Sequence, residues 1–246
     1  MELVKTNGVV IRQTRVKDND VILTIFTRDF GVIQASARGA KGFKNKMAAA
    51  TSLFAYSEFV LCPGREMYRI NSCELLESFY SLTSNIERLA FATYIADLTG
   101  YTIVEEGETE ELLSLFLNTF YLFARWGGEL RAVKCVYELK LLDFLGFAPC
   151  LDCCVSCGNE KATFFSVAEG GLLCDDCRGG YPAAEMSKAC LDAMRYILVS
   201  DSKKAFAFRL SNDVLKELEH WVEKLLSEYI DHHFYSLDYL NTILGK

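Results

Sequence analysis

The chain has 246 residues, of which 51% are hydrophobic and 24% are charged, and its net charge is −7. These proportions are ordinary for a globular protein and exclude a disordered or low-complexity chain. No apolar run reaches the ~20 residues of a membrane-spanning helix, and the N-terminus lacks the pattern of a signal peptide. We therefore expect a cytoplasmic protein whose ten cysteines do not form a disulfide framework.

The first third of the chain reads as short strands separated by polar or glycine-bearing turns. The strand segments are GVVIRQT, DVILTIFT, GVIQASA, YSEFVLC and MYRINSCELL. Five strands at this spacing predict a small β-barrel. Residues 1–80 carry 11 Lys and Arg against 8 Asp and Glu, whereas residues 81–246 carry 15 against 25. This asymmetry predicts that an acidic partner meets the barrel end of the molecule.

A basic segment without acids, residues 38–46, lies between the third and fourth predicted strands. Its cations are Arg38, Lys41, Lys44 and Lys46. Further cations lie at predicted strand ends, which a barrel can bring to one side: Arg12, Arg15, Lys17 and Arg65. Because a basic groove on a barrel can follow the phosphates of a nucleic-acid strand, we predict that these residues bind one, with Phe43 stacking on a base. The alternative interpretation of the basic segment is a solvated charge run.

From about residue 82 the apolar period becomes helical. Helix N-caps are predicted at Ser84, Thr109, Ser187 and Ser211. Another helix is predicted from about Glu129 to Leu145, before Gly146. Four or five such helices can share one core, so residues 81–246 are predicted to form a helical domain.

Six cysteines fall within residues 150–177. The preferred metal ligands, with the spacing C-x2-C-x16-C-x2-C of a four-cysteine zinc site, are Cys154, Cys157, Cys174 and Cys177. Cys150 and Cys153 are the alternative first pair, with a spacer of 20 residues. We prefer the inner pair because Gly158 follows it and lets backbone N–H groups turn towards the sulfurs.

The segments ATFFSV and LLC, between the cysteine pairs, predict a two-stranded ribbon inserted into the helical domain at about residues 148–182. Four thiolates leave no coordination position for water, so one Zn²⁺ per chain would be structural. An iron–sulfur site, a metal-free site and a redox sensor that uses the crowded Cys153-Cys154 region are the alternatives.

Common catalytic motifs are missing from the sequence, including the P-loop, the dinucleotide-binding GxGxxG, GxSxG and HExxH. The three histidines, His220, His232 and His233, fit a helix surface and a helix end. We therefore expect that the protein is not an enzyme.

Together these features resemble the DNA repair protein RecO family. The resemblance is carried by the segments GVVIRQT, DNDVILTIFTRDFGVIQASARGAKG, GFAPCLDCCVSCG and GGLLCDDC. It implies an α+β fold in which an N-terminal OB-fold barrel over residues 1–80 is followed by a helical domain over residues 81–246 with an inserted four-cysteine zinc ribbon. Carried over to this chain, the zinc ligands are the inner cysteine set, and Arg38 and Lys41 are the first candidates for phosphate contacts.

The resemblance also implies a recombination mediator. Such a protein binds single- and double-stranded DNA, anneals complementary strands and, with RecR, helps to load RecA onto DNA covered by single-stranded-DNA-binding protein. It would be cytoplasmic and nucleoid-associated. Arg131 and Lys134, beside Val133 and Tyr137, are the candidate contacts for the acidic tail of single-stranded-DNA-binding protein, and surface solubility is their alternative role. A zinc-stabilised interaction adaptor that does not touch DNA is the alternative function.

Overall fold

The computed structural model describes residues 3–16, 20–37, 47–104, 107, 109–125 and 128–245. They fall into two compact units. The first unit comprises Met1–Trp126 and Phe234–Lys246, and the second comprises Gly127–His233. No helix within the described ranges is long and apolar enough to cross a membrane.

The first unit contains a closed five-stranded barrel. Its strands are β1 (Val4–Arg15), β2 (Val21–Thr27), β3 (Val32–Ala37), β4 (Ala55–Cys62) and β5 (Tyr68–Ser78). The strand order is β1-β2-β3-β5-β4, and only the β3–β5 pair is parallel. All five predicted strands are confirmed, and the arrangement is that of an OB-like barrel.

Alternate residues of the strands fill the barrel, since successive side chains of a strand point to opposite faces. The buried cluster comprises Val10, Val21, Leu23, Ile25, Ile33, Ala35, Ala37, Phe59, Leu61 and Ile70. Tyr68 packs against this cluster, and Phe54 is 1% exposed. The interior thus uses aromatic side chains near the basic segment as packing groups.

Within its described residues, four α-helices complete the first unit. They are α1 (Met47–Ala50), α2 (Ile86–Thr102), α3 (Glu110–Arg125) and α7 (Tyr235–Leu244). The ring of Phe116 packs edge-on against Phe26 of β2, with centroids 5.5 Å apart. The ring of Phe120 packs in the same way against Phe54, at 5.1 Å. Helix α3 is therefore held on the barrel by phenylalanine contacts, which are favourable in this geometry.

Two predicted helix starts differ in detail from the structure. The N-cap of α2 is Asn85, not Ser84, because the Asn85 side chain accepts a hydrogen bond from the backbone N–H of Arg88. The backbone oxygen of Thr109 accepts the first hydrogen bond of α3, but its hydroxyl donates to the backbone oxygen of Thr27 at 2.6 Å. Thr109 thus connects the start of α3 to the barrel.

The second unit contains, in the part that the structure describes, three α-helices and a small sheet. The helices are α4 (Leu130–Phe144), α5 (Lys188–Val199) and α6 (Asn212–Tyr229). The sheet has the order β6-β8-β7-β9 and consists of β6 (Cys150–Cys154), β7 (Phe164–Ser166), β8 (Gly171–Leu173) and β9 (Ala184–Glu185). The predicted caps Ser187 and Ser211 and the predicted ribbon strands are confirmed.

Short 3₁₀ helices occupy Tyr80–Ser84, Arg178–Gly180 and Lys204–Phe206. The predicted domain boundary near residue 80 stays a prediction. Within the compact units, α2 and α3 lie with the barrel, as does α7, which has no counterpart among the predicted helices.

Arg131 and Lys134 form ion pairs inside the second unit. Lys134 is 2% exposed, and its ammonium lies 3.0 Å from Glu138 of α4 and 3.2 Å from Glu223 of α6. Arg131 forms a two-point contact with Glu219. The expectation that both cations lie on an exposed helix face is therefore wrong for Lys134, since the interface between α4 and α6 covers it.

The ion pair with Glu138 keeps Lys134 charged although it is buried. Burial by itself would lower the pKa of Lys134, but the surrounding groups, Glu138 first and then Cys135 and Glu223, together outweigh it and the pKa is raised. Glu138 is 0% exposed, so loss of its partner would leave a charged or newly protonated carboxyl group in the interior.

We predict that Lys134→Met lowers the free energy of unfolding by about 3–5 kcal/mol, because it leaves Glu138 without its cation. The double variant Lys134→Met with Glu138→Gln should recover part of this loss. Lys204→Met, which removes an exposed cation paired with Asp201, should cost under about 1 kcal/mol. Urea denaturation followed by circular dichroism measures all three, and equal effects of the Lys134 and Lys204 changes would contradict the prediction.

Candidate nucleic-acid interface and metal centre

The outer surface of β2 and β3 forms a small uncharged face, here called the β2–β3 face, made of Ile22, Thr24, Gln34 and Ser36. Ile22 is paired with Ser36, and Thr24 with Gln34. None of the four positions carries an acid, and all are exposed or half-buried. The corresponding strands and the adjoining loops bind oligonucleotides in OB-folds.

The strand register brings the end of β1 and the end of β3 to one end of the barrel. Arg15 is paired with Val21, and Val21 with Ala37. Because neighbouring strands are about 4.8 Å apart, the backbones at Arg15 and Ala37 are separated by roughly 10 Å. Residues 16–20 follow the first position, and residues 38–46 follow the second. Arg15 is exposed at this end and forms no ion pair with any residue the structure describes.

Six of the predicted nucleic-acid contacts lie outside the described residues. They are Lys17, Arg38, Lys41, Phe43, Lys44 and Lys46. Their roles stay predictions that rest on sequence and on the described strand ends from which their segments begin.

Arg65 and Arg12 occupy different surroundings from Arg15. Arg65 is exposed in the turn between β4 and β5, and this turn meets β3 where Tyr68 is paired with Ala35. Arg12 donates to Asp97 of α2 at 2.7 Å, so a phosphate would have to compete with this carboxylate. Their predicted contacts with nucleic acid stay predictions.

Arg69 is a candidate contact that the sequence prediction missed. It is exposed on β5 and is paired in register with Ser36 of the β2–β3 face. Strand alternation places Arg69 on the side opposite the buried Ile70. Its position beside Ser36 depends on the parallel pairing of β3 with β5, which no local pattern in the sequence indicates.

The predicted metal ligands converge in the second unit. The sulfurs of Cys154, Cys157, Cys174 and Cys177 all lie within 4.8 Å of one another. The sulfurs of Cys157 and Cys174 are 3.6 Å apart. A tetrahedral Zn²⁺ site with arms of ~2.3 Å has edges of ~3.8 Å, so the spacing fits such an ion.

The first ligand turn has the backbone geometry expected from Gly158. Its φ is +75°, which favours glycine. The Gly158 N–H donates to the backbone oxygen of Cys154 at 2.8 Å, and the Cys154 N–H donates to the oxygen of Asn159, also at 2.8 Å. These two bonds close the turn and present the sulfurs of Cys154 and Cys157 on one side.

At Cys154 and Cys157, backbone N–H groups and crowding by neighbouring sulfurs shift the thiol pKa values in opposite directions. Burial raises the pKa of Cys154, but backbone N–H groups, that of Cys174 foremost, outweigh it and lower the pKa to about 6. At Cys157 the backbone N–H of Asn159 lowers the pKa, whereas the three neighbouring sulfurs outweigh it and raise the pKa to about 12. Four thiolates at this spacing repel one another, and a bound divalent cation removes that repulsion. The donor set therefore suits a thiophilic cation.

The outer pair does not join this cluster. Cys150 and Cys153 lie on β6 before the first ligand, and the grouping of sulfurs in the described chain contains neither of them. Of the two sets weighed from the sequence, the structure thus gathers the inner one.

Comparison with known proteins agrees with this architecture. The family model Recombination protein O N terminal matches residues 1–79, and Recombination protein O C terminal matches residues 83–238. The chain is 34% identical to the DNA repair protein RecO of Acetivibrio thermocellus, over 99% of this chain and 98% of that protein. It is 33% identical to the protein of the same name from Alkaliphilus metalliredigens, over 99% of both chains. It is 32% identical to the protein of the same name from Symbiobacterium thermophilum, over 99% of this chain and 98% of that protein.

The fold and the cysteine cluster define an α+β protein in which an OB-like barrel is combined with helices and a possible four-cysteine metal site. The chain matches both family models and covers nearly the whole length of the relatives named above. The chain belongs to the RecO family of DNA repair proteins, and the resemblance noted in the sequence is confirmed.

We predict that Cys174→Ser loses its bound metal, with affinity lowered by at least about 100-fold, because even the outer partners of metal ligands are worth about 10- to 100-fold. Cys150→Ser removes a nearby thiol outside the cluster and should keep one metal ion per chain. Elemental analysis of the purified proteins by mass spectrometry measures the metal content. Equal metal content in the two variants would contradict the ligand set.

Proposed function

We propose that this chain is a recombination mediator that binds single- and double-stranded DNA through its barrel and anneals complementary strands. The observation that carries the proposal is the β2–β3 face without acids, where Arg69 is paired with Ser36, together with Arg15, which is exposed at the end of β1. The barrel end at Arg15 and Ala37 adjoins the segments that hold most of the predicted cations. Exposed guanidinium groups beside such a face can neutralise phosphates without displacing a carboxylate.

Charge neutralisation gives a physical account of annealing. Two DNA strands repel each other through their phosphates, and a protein that neutralises several phosphates on each lowers this barrier. Binding should therefore weaken with salt, by about 0.7 in the log–log slope for each contacted phosphate of a single strand. The excess of acids in residues 81–246 favours binding at the barrel end.

The partners and the metal belong to the same proposal. We propose that the chain acts with RecR to load RecA onto DNA covered by single-stranded-DNA-binding protein, next to the nucleoid in the cytoplasm, as a mediator and not as an enzyme. We propose Zn²⁺, one ion per chain, as the metal of the four-cysteine cluster. It would connect the turn after β6 to the turn after β8 and serve stability alone, since four thiolates exclude water from the ion.

The location of the partner contacts is constrained by the ion pairs of the second unit. Arg131 remains the predicted contact for the acidic tail of single-stranded-DNA-binding protein, and that tail would have to compete with Glu219. Lys134 is enclosed by Glu138 and Glu223 and is not proposed as a contact.

We predict that Arg38→Glu with Lys41→Glu lowers annealing of complementary strands at least about tenfold, and that Arg69→Glu lowers it by a smaller factor. The reason is that each change replaces an attraction to phosphate by a repulsion, and loss of one contact should also reduce the salt slope by about 0.7. Fluorescence annealing assays, with bare strands and with strands coated by single-stranded-DNA-binding protein, measure the rates.

Lys216→Glu is the matched control for Arg69→Glu, since it reverses one positive charge in the same way at an exposed position of α6. It should leave annealing unchanged. If none of the barrel variants alters annealing or oligonucleotide binding and binding does not respond to salt, the chain acts as an interaction adaptor and the DNA-binding proposal is wrong.

A further inference from the structure

A second pair of thiols lies next to the metal cluster but outside it. Cys150 is exposed and Cys153 is half-buried, and both belong to β6. The proposed metal site uses neither residue, and DNA binding at the barrel does not require them. Their position thus raises the question of what chemistry two neighbouring accessible thiols can perform.

The backbone of β6 brings the two cysteines close together. β6 is paired with β8 at Cys150–Gly171 and at Cys154–Leu172. An advance of four residues along β6 therefore corresponds to an advance of one residue along β8. In an extended chain, Cys150 and Cys153 would be separated by roughly 10 Å, beyond the Cα separation of a disulfide. The intervening residues instead form a bulge in the pairing, and the Sγ of Cys150 lies 3.9 Å from the backbone oxygen of Cys153.

Contacts on both sides of the bulge hold this shape. The side chain of Leu151 is 4% exposed, and its backbone oxygen accepts a hydrogen bond from the Nε of Arg195 at 3.0 Å. On the other side, β8 approaches so closely that a Cβ at Gly171 would lie 2.5 Å from the backbone oxygen of Cys150. The pair is therefore preorganised by the sheet of the second unit.

We propose that Cys150 and Cys153 are a modification site, an accessible dithiol that reacts with low-molecular-weight disulfides and closes to an intramolecular disulfide while the metal cluster stays intact. The exposed sulfur of Cys150 is the one that meets the oxidant. A cation bound in the cluster engages the electron pairs of its four thiolates, which makes them poorer nucleophiles than the free pair.

The reaction is thiol–disulfide exchange in two steps. The Cys150 thiolate attacks one sulfur of the small disulfide, which forms a mixed disulfide and releases one small thiolate. The Cys153 thiolate then attacks the Sγ of Cys150, which forms the protein disulfide and releases the second small thiolate. The pair loses two electrons and two protons, and the small disulfide gains them as two thiols.

The test uses the full-length, metal-bound protein in buffers with a graded ratio of reduced to oxidised glutathione. After the remaining thiols are alkylated, fragmentation of the tryptic peptide between Lys140 and Lys161 locates the bond. We expect the loss of two hydrogens between Cys150 and Cys153, with the metal content unchanged. Because the bond is located directly, this result is separate from any assay of DNA binding.

Variants in which one cysteine is replaced test the order of the two steps. With Cys153→Ser, Cys150 should stop at the glutathione adduct, since no second thiol can displace it. Cys73→Ser, which removes a half-buried thiol on β5, should leave the reaction as in the unchanged protein. The proposal fails if both thiols stay fully alkylatable in oxidising buffer. It fails equally if oxidation first joins Cys154, Cys157, Cys174 or Cys177 and releases the metal.

Discussion

The short parallel ladder between β3 and β5 is the constraint on which the candidate DNA surface depends. It contains two paired positions, Ala35 with Tyr68 and Ser36 with Arg69. This ladder closes the barrel, so that alternate apolar residues of all five strands share one interior. It also places an arginine from the end of the strand series beside the middle strands. The same backbone contact thus supports both the core and the charge pattern outside it.

In the second unit, the pairing of β6 with β8 likewise has two consequences. Two pairings to β8 determine the path of this strand and separate its cysteines into two groups. The inner cysteines turn towards Cys174 and Cys177, where four sulfurs surround a site for a cation. The outer cysteines remain on the bulge, accessible to solvent. An offset of four residues in sequence therefore becomes a difference between a candidate metal site and an open thiol pair.

Charge is handled differently in the two units. In the second unit Lys134 and Arg131 are paired with glutamates between α4 and α6, which commits them to the interior of the unit. At the barrel, Arg15 and Arg69 are exposed without a carboxylate partner among the described side chains. The paired cations of the second unit thus stabilise its fold, whereas the exposed arginines of the barrel are available for phosphate. A count of net charge cannot make this distinction.

Much of the architecture was determined by local sequence. Alternation of apolar residues determined the five barrel strands, Ser187 and Ser211 determined helix starts, and the spacing of two C-x-x-C pairs determined which four cysteines converge, because each of these signals acts over a few neighbouring residues. The tertiary structure alone decided the pairing of Arg69 with Ser36, the burial of Lys134 and the bulge in β6 that brings Cys150 close to Cys153. These features depend on contacts between segments far apart in the chain, whose register and packing no local pattern specifies.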